Sequence, residues 1–131
     1  VFDLAPMTDE QVITGFTTTE DVIKNRPHMV QQIVSGLQEA INLMYSKPEV
    51  SYKVAKKLYP NLSDAVVRRA VDHMINAKIY PRSVVVVDRL WQRTLKTRLD
   101  SGELKKPQTT DVAVDNSFAL QAKKDVGIAI K

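Results

Sequence analysis

Residues 17–45 (TTTEDVIKNRPHMVQQIVSGLQEAINLMY) carry the longest clean helical pattern in the chain, and a helix of that length constrains whatever folds around it. Met29, Val30, Ile33, Val34, Leu37, Ile41 and Met44 recur at steps of three and four. That spacing lines them along one stripe of a 3.6-residue helix, with Gln31, Gln32, Gln38, Glu39 and Asn42 on the other side. Pro27 suits the first helical turn, where its missing N–H costs nothing and its φ is already near helical. The pattern predicts a helix over residues 27–45, about 28 Å long at 1.5 Å per residue. Its stripe has to bury itself against several neighbours.

Upstream, residues 1–11 have no period and contain Pro6, which predicts an extended lead-in. Val12, Ile13 and Thr14 are rich in β-branching and predict a short strand over residues 11–16. Thr17 and Glu20 have capping-box spacing, so a short helix over residues 18–24 should follow and end before Pro27. Downstream, Pro48 and Glu49 open another helix, with Val50, Val54, Ala55 and Leu58 as its apolar face and Pro60 as its stop. Ser63 is the next N-cap candidate, with Leu62 and Val67 placed as a hydrophobic staple. Val66, Val67, Ala70, Val71, Met74 and Ile75 form that helix's stripe. The Val84–Val87 run has strand propensity, yet Val87, Leu90, Trp91, Leu95 and Leu99 share a helical face and Gly102 makes a C′ residue. A helix over residues 86–101 is therefore expected, then a polar loop over 103–111, a last helix capped by Asp115 and running to about 122, and a tail over 123–131. The fold class is mainly α, five to six helices with one short N-terminal strand. A lone strand leaves its N–H and C=O groups without partners, so either it pairs with another part of a larger protein or it is not a strand.

The 131 residues amount to one domain, and 44% apolar content excludes a disordered chain. No apolar run is long enough to span a bilayer and no secretory signal opens the chain. A start at Val1 leads us to expect a processed protein or an excised segment. The net charge of +4 permits nucleic acid without indicating it, and the absence of Cys removes thiol chemistry. His28 and His73 lie on different helices and have no second ligand at metal spacing, so neither a metal nor a cofactor is expected. No phosphate-binding, nucleophile-elbow or metalloprotease motif occurs, and we expect no enzyme. The pairs Lys56-Lys57, Arg68-Arg69, Lys105-Lys106 and Lys123-Lys124 read as solvated faces, and Trp91 and Leu95 as core. For Thr17, Thr18 and Thr19 two accounts stand: helix capping, or hydroxyls and free N–H groups that face an anionic ligand. Residues 51–75 imitate a helix-turn-helix bearing Arg68 and Arg69, but Leu62, Val66 and Val67 occupy the end that should meet base edges. A free-standing helical interaction domain is a third possibility.

Taken in order, ITGFTTTEDVIKNRP, PHMVQQIVSGLQEAINLMY, KPEVSYKVAKKLYPNLS, DRLWQRTLKTRLDSGELKKP and VDNSFALQA resemble the C-terminal portion of periplasmic solute-binding proteins of ABC importers. The group is that of nitrate, sulfonate and taurine, which includes thiamine-precursor binders. The resemblance spans residues 12–122, and its motifs are degenerate, so the signal lies in their order and spacing. It implies that residues 1–131 are a single C-terminal segment completing one lobe of a two-lobed α/β (type II) periplasmic-binding fold, in a periplasmic or other extracytoplasmic location. The implied partners are a small solute, anionic or heterocyclic, the membrane permease subunits and the remainder of its own polypeptide, with no nucleic acid. Of the ligand-contacting positions, only Thr17 and Thr18 match in this segment.

Overall fold

Prolines and hydroxyl side chains set where most of the helices begin. In the computed structural model, residues 10–128 are described and contain seven helices and no strand. They are α1 (Glu20–Asn25), α2 (Pro27–Ser46), α3 (Pro48–Leu58), α4 (Asp64–Asn76), α5 (Asp88–Asp100), α6 (Thr110–Ala113) and α7 (Ser117–Val126). Pro27 and Pro48 open α2 and α3 as their fixed φ predicts. Ser63 caps α4 by accepting the Val66 N–H at 3.4 Å, and Gly102 takes φ +78° just beyond α5, where a side chain would be strained.

Several expectations need correcting. The strand over residues 11–16 does not form. An isolated strand has no second ladder to pair with, and α5 bonds only the main chain of Glu10 and Val12, leaving residues 13–16 without a hydrogen bond among the described residues. The cap of α1 is Thr19, not Thr17: its hydroxyl accepts the Val22 N–H at 3.3 Å, which moves the start to Glu20 and dissolves the Thr17–Glu20 box. Helix α5 begins at Asp88, after an extended Val87, so the valine run stays outside it. Part of the expected polar loop is the short α6, fixed to α5 by hydrogen bonds from Gln92 to Thr110 and from Thr110 to Asp88. Helix α7 starts one turn-residue later than expected, after Asn116, and continues through residues assigned to the tail as far as Val126. The lead-in over residues 1–9 and the last three tail residues lie outside the described residues.

Helix α2 is the spine. It packs most extensively on α7 and also touches α1 and α3, while α4 packs on α3 and α6 on α5. Val30, Tyr45, Val67, Val71, Leu95, Ala119 and Ala122 are buried among these helices. The face α2 buries is only partly the one its pattern predicts: Val30 is buried and Val34, Ile41 and Met44 are half-buried. Gln38 is 0% exposed and Gln31 and Asn42 are half-buried, whereas Met29, Ile33 and Leu37 face outward, Leu37 at 42%. Amides on this face hold main chain of the 82–84 connector, of α7 and of its C-cap. Gln38 donates to Arg82 O at 2.9 Å and accepts the Val84 N–H at 3.1 Å. Gln31 donates to Phe118 O and Asn42 to Gly127 O. Asn116 does the same for the valine run, accepting the Val86 N–H and donating to Val86 O, both at 2.9 Å. Tyr45 donates its hydroxyl to Tyr80 O while Arg82 lies over its ring at 4.1 Å. The connector between α4 and α5 is thus pinned to α2 and α7 by side chains in place of a neighbouring strand.

Candidate functional site

The residues with a sequence-level claim to a ligand, Thr17 and Thr18, sit in the exposed turn that leads into α1. Because Thr19 does the capping, neither of their hydroxyls is committed to the helix. Residues 13–18 make no hydrogen bond among the described residues, and Ile13 and Phe16 in the same stretch are 78% and 51% exposed. The turn is therefore a bridge between two anchors. Downstream, α1 begins at the Thr19 cap, where Thr19 O accepts the Ile23 N–H, and packs on α2. Upstream, three side chains of α5 hold residues 10–12. Thr94 Oγ1 accepts the Val12 N–H and donates to Val12 O, both at 2.9 Å. Arg93 donates to Glu10 O at 3.0 Å, and Arg89 faces the Glu10 carboxylate at 3.8 Å. An N–H and C=O of one residue converge on one atom only where the backbone is extended, since in a helix they point opposite ways. Val12 therefore has strand geometry without a strand partner.

A second concentration of polar groups lies between α3 and α4, in an open groove of about 400 Å³. Arg68 makes a two-pronged pair with Glu49, at 3.0 and 3.3 Å, and stacks over Tyr52 at 4.7 Å. Tyr52 donates its hydroxyl to Asp72, and that bond holds the phenol above its ordinary pKa. Lys56 pairs with Asp64 at 3.1 Å and donates to Pro60 O and Leu62 O. These groups satisfy one another across the hairpin, so the groove reads as a clamp between two helices. The expected solvated faces of Lys56 and Arg68 are thus partly tied up.

His28 and His73 are both exposed and on separate helices, as their spacing predicts. Among the described residues no cluster of three or more His, Asp or Glu side chains could hold a metal ion, and no helix is long and apolar enough to cross a membrane. The residues that pattern reading missed are Gln38, Thr94 and Asn116. Gln38 and Thr94 are polar residues at inward helical steps, Gln38 near Val34, Ile41 and Tyr45 and Thr94 near Leu90 and Trp91, while Asn116 stands just before the apolar start of α7. That misplacement is the signal that could have found the first two. Compared with protein-family models, curated proteins and solved structures, the chain matches none.

Proposed function

We propose that this chain is the C-terminal helical part of one lobe of an extracytoplasmic solute-binding component of an ABC importer, of the nitrate/sulfonate/taurine or thiamine-precursor type. The observation that carries the proposal is an uncovered apolar arc on three successive helices. Met29, Ile33 and Leu37 of α2, Val50, Val54 and Leu58 of α3, and Val66 and Met74 of α4 are all exposed. Within each helix they stand four residues apart or at multiples of four, which makes a continuous row beside the arc already buried. Helices that cover a sheet need two apolar arcs, one for neighbouring helices and one for the sheet. Single exposed apolar residues need no explanation, but rows of them mark a surface meant to be covered. The extended backbone at Val12 is the second support, since α5 engages the edge that carries its N–H and C=O, and the next residue's groups face the opposite way.

Under this proposal the lobes close on a small solute and the closed form docks on the membrane permease subunits, with ATP hydrolysed elsewhere in the assembly. No bond is made or broken on this chain. The solute has to bind the closed state better than the open one, otherwise closure would carry no signal. Thr17 and Thr18, exposed and without a hydrogen bond among the described residues, are the positions the resemblance offers to meet it. Calorimetric titration of nitrate, taurine and a hydroxymethylpyrimidine tests the proposal. This chain, holding part of one lobe, should give no saturable heat, and the product of the complete reading frame should bind one of the three. Tight binding by this chain alone, or none by the complete product, would overturn it.

A further inference from the structure

We propose that Thr94 is the positioning residue for the Thr17–Thr18 turn: by holding both main-chain groups of Val12, it ties the placement of that turn to α5. The role of the turn towards a solute rests on the function proposed above; its mechanical tie to α5 does not.

Four observations bear on Thr94 among the contacts that hold residues 10–12. It is the buried one, at 6% exposure, whereas Arg89 and Glu10 are solvated and their 3.8 Å approach is loose. Buried hydrogen bonds resist replacement by water, and solvated ion pairs contribute little. Its hydroxyl also lies 3.1 Å from Leu90 O, one turn back in α5, which fixes the χ1 that aims the oxygen at Val12. Proton accounting then makes the Val12 N–H bond the constant one. The single hydroxyl hydrogen serves either Val12 O or Leu90 O, while the lone pair accepts from Val12 N in both arrangements. Finally, no bond intervenes between this anchor and the Thr19 cap, because residues 13–18 are unpaired among the described residues. A shift of α5 relative to α2 must therefore be taken up by the stretch that carries Thr17 and Thr18.

Amide hydrogen exchange followed by NMR on the full chain tests this without any solute, so its outcome is independent of the solute-binding proposal. Thr94→Val keeps the shape and removes the hydroxyl; it should speed exchange at the Val12 amide about tenfold, the loss of one hydrogen bond. Amide resonances of residues 13–18 should shift as well, while amides of α2 and α7 keep their protection. Thr94→Ser, which retains the hydroxyl, should restore the wild-type pattern. Unchanged exchange at Val12 in Thr94→Val, or a Ser variant that behaves like Val, would overturn the assignment. Should Thr94→Val fail to fold, Val12→Pro removes the donor and leaves Thr94 intact. In that variant, shifted resonances over 13–18 with α2 and α7 protected support the tie, and unshifted ones refute it.

Discussion

Neighbouring residues of α2 reverse the usual relation between polarity and place. Gln38 is in the interior and Leu37 is at the surface. The reversal follows from what each can do: a buried amide bonds an N–H and a C=O of the 82–84 connector, and a leucine cannot. Gln38→Leu, which would look conservative in a core, should therefore destabilise the chain by about 1–3 kcal/mol, since it removes two hydrogen bonds to half-buried main chain. Leu37→Gln should change stability by less than about 0.5 kcal/mol, as surface substitutions do. Urea denaturation of the two variants checks the pair, and equal losses would sink the account. Periodicity hints at Gln38, four residues from Val34 and three from Ile41, without showing what its amide binds. It locates the apolar arc of α2 correctly and yet says nothing about which part of it this chain covers. Amides four residues apart look like a solvent face until their main-chain acceptors are known.

At the scale of elements, what the sequence made legible was local. The prolines at the starts of α2 and α3, the Ser63 cap and the Gly102 stop are rules of a few neighbouring residues, and all four hold. The errors fall where a distant partner decides. The propensity of Val12 predicts a strand, but it is Thr94, far along the chain, that supplies its bonds. The valine run was split between strand and helix until Asn116 settled the backbone at Val86. The start of α7 shows the same logic within a short span. Asp115 is not the cap, but its carboxylate accepts from the Ser117 N–H at 2.8 Å, and the Ser117 N–H and hydroxyl hold its pKa below the usual carboxylate range. A depressed folded-state pKa stabilises the fold above the ordinary carboxylate value, near pH 4, and the stabilisation is lost as pH falls through the folded value. Protection of the α7 amides should accordingly weaken as pH drops below about 4. Asp115→Asn should remove that part of the acid dependence; an Asn variant with the wild-type acid profile would show that other carboxylates govern it.

Across the whole molecule, the balance between covered and uncovered apolar surface separates the proposals. A self-sufficient helical domain would bury its rows against itself, and a helical layer taken from a larger lobe would not. Two substitutions on those rows, Ile33→Gln and Val54→Gln, read the difference directly because the same residues meet different surroundings in the two cases. In this chain Val54 is 54% and Ile33 37% exposed, so the double variant should lose at most about 1 kcal/mol and bind less of a hydrophobic dye such as ANS. In the complete two-lobed product the same side chains would lie against the sheet. Losing two buried aliphatic side chains there should cost about 3–6 kcal/mol, by the usual 1.5–3 kcal/mol for each. Comparing thermal unfolding of the double variant in the two contexts therefore tests the proposed placement without knowledge of the solute. A neutral result in the complete product would mean that these rows face something other than a sheet.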